Sequence, residues 1–283
     1  MPPRKAPTVR QRRLGAELRR LRERAGLGLT DAAPLLGTDR TTISNTESGR
    51  FGVSAERVRA WAAHYGASDH PYVEALAAMA GERSNGWWED YRGELPAAAL
   101  DLAELEHHAV AIRAVQIMHL PGLLQTEDYV RAVFAQAVPP PEASLARRQL
   151  SYRLRRRDVL GRPQPPMCTF MIHEAALRMV YGERATSLAQ LSYLLDESER
   201  DNVHVRIIPF AAGGFPNAGS STHYLSGPVT QLDTVQMETA TGSAFVDAET
   251  PLGNYRAVLD RTQERSLGLR ESRDFVRKIA QDI

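Results

Sequence analysis

Residues 37–50, GTDRTTISNTESGR, contain one large apolar side chain, Ile43. Asp39 is a good N-cap and Gly49 a good helix stop, so the stretch reads as a two-turn helix over Arg40–Glu47. A helix this short with one core anchor is not stable alone. Neighbouring elements must hold it, and its row of Thr, Ser, Asn and Arg must serve something other than the core.

Those neighbours are legible. Arg10–Ala25 is an amphipathic helix with Leu14, Leu18 and Leu21 at helical spacing and Arg12, Arg13, Arg19, Arg20 and Arg24 on other faces. A second helix covers Leu29–Leu36, with Ala32, Ala33 and Leu36 inward, and stops at Gly37. A fourth starts after Ser54 and ends at Gly66; a fifth starts at Pro71, suited to a first helical position, and runs to about Ala80. Two short helices joined at Gly37 within a five-helix set match the helix-turn-helix pattern. There the first helix holds the second, whose outer face is free to be polar. Arg40, Thr41, Ser44 and Asn45 are then the candidates for base edges in a major groove of double-stranded DNA. Thr42, Ser48 and Arg50 are the candidates for phosphates, which fix register without reading sequence.

Charge agrees with this. The net charge of +1 conceals an asymmetry: residues 1–60 hold 13 Lys+Arg against 6 Asp+Glu, and the remainder holds 22 against 28. A basic head on an acidic body suits a polyanionic partner for the head, although a solvated basic tail gives the same count. The first residues are basic but lead into the arginine-rich helix and not into an apolar signal core. No apolar run reaches the length of a bilayer span, so no membrane is expected. Cys168, the single cysteine, reads as a buried reduced thiol, and a cytoplasmic location fits.

The texture changes after residue 82. Gly81–Gly86 reads as a linker, which gives domains over 1–82 and 83–283. Strand signals at Met167–His173, Val203–Pro209, Ser221–Leu225, Thr234–Glu238 and Ser243–Val246 alternate with or precede helical stretches, and Ala111–Met118 alternates more briefly. The second domain is therefore expected to be α/β or α+β, with a strand order that periodicity does not give.

Catalytic chemistry is hard to find there. His107 and His108 diverge on a helix, no HExxH or CxxC occurs, and no metal or other cofactor is expected. His173-Glu174 is either an acid–base pair or a strand-end cap. The glycine-rich 209–221 lacks a P-loop lysine, and Ser220 and Ser221 lie on no nucleophile elbow. The expectation is a protein without catalytic residues. Trp87, Trp88 and Tyr91 suit either a ligand or partner surface or packing. The run RRQLSYRLRRR (147–157) suits DNA phosphates, an acidic partner or a solvated face.

Two resemblances add to this. Residues 10–66 resemble the XRE group of helix-turn-helix domains, named after phage repressors and Cro proteins, through LRRLRERAGL, the Ala33 and Gly37 spacing, TTIS and ESGR. The resemblance implies a phage-repressor-like all-α domain and an ion pair between Arg22 and Glu47. The chain departs from it at Gly28, where Ser or Thr usually caps the second helix, at Leu29, at Thr46, where a large aliphatic is usual, and at Pro34. Residues 87–281 are similar to the C-terminal domain of actinobacterial WhiJ-like or antitoxin-like regulators, through GWWEDYRGELP, HLPGLLQTEDYVRAV, HEAALR, NVHVRIIPFAAGG and FVDAETPLGNYRAVLDRT. This implies a DNA-binding transcriptional regulator, a repressor in most of the fold group, acting as a homodimer on an operator. Its second domain would sense a small-molecule effector or dock a small protein encoded by the adjacent gene. The alternative is an antitoxin-like protein that neutralises such a partner and binds DNA for autoregulation.

Overall fold

The computed structural model describes residues 6–82, 86–239 and 242–283; residues 83–85 of the expected linker lie outside them. The chain divides into two compact units, Met1–Glu89 and Asp90–Ile283.

The described residues of the first unit form five helices: α1 (Val9–Arg24), α2 (Leu29–Leu35), α3 (Arg40–Glu47), α4 (Ala55–His64) and α5 (His70–Gly81). Side chains cap four of them. Thr8 and Gln11 exchange hydrogen bonds at the start of α1, and Asp39, Ser54 and Asp69 each accept an amide of the first turn of α3, α4 and α5. Gly28 has no side chain to do this for α2; instead Asp31 reaches back to the Gly28 amide. The core is small: Leu18, Leu21, Ala32, Ile43, Val58, Trp61, Leu76 and their neighbours. Leu14 is only half-buried, whereas Arg13, expected on an outer face, is buried. Its Nε donates to Glu17 at 2.6 Å, and Glu17 also receives the Tyr72 hydroxyl at 2.6 Å and an ion pair from Arg20. A buried carboxylate must be matched by donors, and that need draws Arg13 inward.

The second unit is a mixed sheet with helices on both faces. After α6 (Ala97–His108) come β1 (Ala111–Gln116), α7 (Glu127–Phe134), α8 (Ala143–Arg156), β2 (Met167–His173), α9 (Glu174–Arg178), α10 (Arg184–Glu197) and β3 (Val203–Ile208). Then follow β4 (Thr222–Ser226), β5 (Thr234–Thr239), β6 (Gly242–Val246), α11 (Glu249–Glu264) and α12 (Leu269–Asp282). The strand order is β3-β2-β1-β4-β5-β6. The first three strands are mutually parallel, and β4, β5 and β6 add antiparallel from β1 outward. The helices between β1, β2 and β3 are the crossovers that parallel neighbours require. One sheet face packs Ile112, Ala114, Phe170, Ile172, Val205 and Ile207 against Leu191, Leu194, Val276 and Ile279 of α10 and α12. The other packs Val115, Met171, Tyr224 and Val235 against Leu252 and Leu259 of α11. Cys168 is buried, and burial pushes its thiol up to about 12. The fold is thus a five-helix head and a body of mixed α and β structure.

Candidate nucleic-acid interface

The interface is built from the turn between α2 and α3. Gly37 adopts φ 59°, open to glycine at little cost, so the amides of Gly37 and Thr38 return to the carbonyls of Pro34 and Ala33. Pro34 lies in the last turn of α2, where it removes a donor without breaking the helix. Asp39 then starts α3. Its carboxylate accepts the Thr42 amide at 2.8 Å and the Thr42 hydroxyl at 2.7 Å, and these bonds hold its carboxyl below the ordinary range.

On α3 the inward residues are Ile43, Thr46 and Glu47, all buried. Thr46 replaces an aliphatic residue without leaving an orphan, since its hydroxyl donates to the Thr42 carbonyl at 2.9 Å. Glu47 receives Arg22 of α1 through two parallel bonds, Nε to Oε1 at 2.7 Å and Nη2 to Oε2 at 2.8 Å, while Arg22 Nη1 donates to the Leu27 carbonyl at 2.7 Å. One guanidinium thereby ties α1, the turn after it and the end of α3 together. The Glu47 partner raises the Arg22 pKa, against the pull of burial.

Arg40, Thr41, Ser44 and Asn45 fall on the opposite side, at the i and i+4 spacing that makes one face. Arg40, Thr41 and Ser44 are exposed and Asn45 is half-buried. Among the described residues none of these four side chains has a hydrogen-bond partner. The structure therefore brings the four base-reading candidates into one unoccupied polar strip.

The phosphate candidates separate. The single hydroxyl proton of Thr42 goes to Asp39, and that of Ser48 goes to the Asn45 carbonyl at 3.1 Å. In this structure both hydroxyls are engaged at the ends of α3. Arg50 is exposed, and its guanidinium has no partner among the described residues. A helix held from behind, with an open polar face and an arginine just past its end, defines the helix-turn-helix class, a DNA-binding fold.

Comparison with known families agrees. Residues 13–76 match the family described as "Helix-turn-helix domain". Residues 99–278 match the family described as "Domain of unknown function (DUF5753)", which covers more than half of the chain, and the chain belongs to that family. No curated protein and no solved structure matches it. No helix among the described residues is long and apolar enough to cross a membrane.

The side-chain contacts bear on the alternatives that the sequence left open after residue 86. Tyr91 is buried, meets Tyr152 edge-on at 5.5 Å and shares a 2.9 Å hydrogen bond with Ser151. Trp88, which falls in the first unit, is buried, and Trp87, half-buried in the same unit, meets it edge-on at 6.0 Å. The basic run is largely consumed by its own unit. Arg148 grips Glu94 through both oxygens, Arg155 pairs with Asp90, and Arg157 lies 4.7 Å over the Tyr193 ring. Arg156 is buried and forks onto Glu106 at 2.8 and 2.6 Å. His173 accepts the Ala175 amide and Glu174 accepts the Phe210 amide, so this dipeptide caps backbone at the end of β2. Among the described residues no group of His, Cys, Asp and Glu is placed to hold a metal ion.

Proposed function

We propose that the chain is a sequence-specific transcriptional regulator of the XRE type. Arg40 and Asn45 read bases, Thr41 and Ser44 add contacts on the same face, and Arg50 holds a phosphate. The observation that carries this is the unpartnered polar strip of α3, backed by the buried Arg22–Glu47 fork that fixes its orientation. Arginine suits guanine O6 and N7, and asparagine suits adenine N6 and N7. A homodimer reading two half-sites about one helical turn apart is the geometry that such a head needs. Repression is what the resemblance to the fold group implies, and a cytoplasmic location goes with it. The second unit is its sensor, a binding and not a catalytic domain. Ser221 and His223 line one cavity there, but no hydrogen bond joins them, and Glu106 is already held by Arg156. The WhiJ-like or antitoxin-like variant, with a small partner protein on the second unit, rests on no feature as specific. Selection of bound sequences from random duplex DNA tests the proposal: one enriched motif with two related halves is expected, and recovery of unenriched DNA would contradict it.

A further inference from the structure

The second unit contains a cavity of about 160 Å³ between the sheet and α8. Its wall includes Arg153, Arg156, Gly122, Gln125 and His223, with Glu238 also lining it and exposed to solvent. Arg156 is neutralised by its buried fork onto Glu106. His223 lies 3.7 Å from Glu106, but burial outweighs that carboxylate and holds its pKa below the ordinary value, so the imidazole is neutral at pH 7.

Arg153 differs from its neighbours in the run. Its only partners among the described residues are neutral: the side-chain oxygen of Gln125 at 3.2 Å and the Phe134 ring, 5.6 Å from its guanidinium carbon. No carboxylate lies within ion-pair distance. Enclosure pushes its pKa down to about 10, so it still carries its charge at pH 7. The backbone makes room for it, because a β-carbon at Gly122 would fall 3.0 Å from Arg153 Nη1. A half-buried guanidinium with no carboxylate in contact is only partly compensated by the more distant Glu238, and a planar fork facing a cavity is suited to a carboxylate.

We propose that this cavity binds a small carboxylic acid whose carboxylate is taken by Arg153. The charge count favours a monoanion over phosphate. Among the described residues Arg153 is the one cation of the wall without a carboxylate at ion-pair distance, and Glu238 acts on it only from farther off. A singly charged ligand therefore brings less negative charge beside Glu238 than a doubly charged phosphate. A closed cavity near 150 Å³ holds benzene, so the part of the ligand seated in this open-mouthed one is about six non-hydrogen atoms. The proposal rests on the reading of the second unit as a sensor and names the ligand class of that sensor.

The test is calorimetry and thermal unfolding of the full chain with acetate, propionate, pyruvate, L-alanine and inorganic phosphate, at ionic strength matched with chloride. At least one carboxylate is expected to bind saturably and raise the unfolding midpoint, with phosphate weaker. Arg153→Met should abolish that binding without lowering the midpoint of the unliganded protein, since it removes a half-buried guanidinium that no carboxylate contacts. Arg153→Lys, which keeps charge but not the fork, should weaken binding by roughly tenfold or more. No saturable carboxylate binding, tighter binding of phosphate, undiminished binding by Arg153→Met, or failure of that variant to fold would each overturn the proposal. The readout contains no DNA. Loss of DNA recognition would leave it standing, and absence of carboxylate binding would leave DNA recognition standing.

Discussion

Gly15 of α1 passes so close to Glu47 at the end of α3 that a β-carbon at position 15 would lie 2.4 Å from the Glu47 carbonyl oxygen. The carbonyl of Thr46 would be 2.7 Å away. Both obstacles are backbone, so no side-chain rotation relieves them. The two helices can cross this closely only because position 15 lacks a side chain. Gly15→Ala should therefore push α3 off α1, and the overpacking should cost about 1–3 kcal/mol against the gain in helix propensity. Chemical denaturation of the full chain, followed by the fluorescence of Trp61 in the head, checks it; an unchanged or raised midpoint would contradict the close approach.

The Arg22–Glu47 fork predicts asymmetric costs. Arg22→Met leaves a buried carboxylate without its cation, and Glu47→Leu leaves the cation without its carboxylate. Each should destabilise the head by about 2–4 kcal/mol. Replacing both, with Met and Leu, should cost clearly less than the two single losses together, because no charge remains stranded. Unfolding midpoints in a double-mutant cycle measure this coupling.

His223 gives a pH dependence with a defined sign. Its folded-state pKa lies below the ordinary 6.5, because burial beside Arg156 outweighs Glu106 and Glu238. The unfolded chain therefore takes up the proton first as pH falls. Stability is full above the unfolded value, declines as pH drops through it, and levels off below the folded value. His119 and His173 are lowered too and act in the same window. His223→Gln should make the fall in unfolding midpoint between about pH 7 and pH 5 shallower than in the parent chain. Equal slopes would show that His223 does not titrate in that window.

Much of the head was legible because its elements are punctuated locally. Asp39, Ser54 and the glycines at 26, 37, 49 and 66 mark helix ends through the residues beside them. The polar strip of α3 was readable from one apolar residue in two turns. Gly15 was not, because its meaning depends on a carbonyl more than thirty positions away. Arg13 misled because hydrophobic periodicity has no term for a buried carboxylate at Glu17 that needs donors. In the body, β-branched and apolar runs located the strands, but their order depends on crossovers that no local pattern encodes. The basic run was the hardest to read. Six arginines look alike in sequence, and only folding shows that Arg148, Arg155 and Arg156 meet acids on preceding elements while Arg153 meets none.

The most direct measurement is the affinity of Arg40→Ala, Asn45→Ala and Arg50→Ala for the duplex selected by the parent chain and for random duplex of equal length. The account predicts that Arg40→Ala and Asn45→Ala each lose about 1–3 kcal/mol on the selected duplex, with relaxed preference at one base pair. It predicts that Arg50→Ala weakens both duplexes alike and lowers the salt dependence by about one ion. Equal losses on both duplexes for all three variants would contradict it.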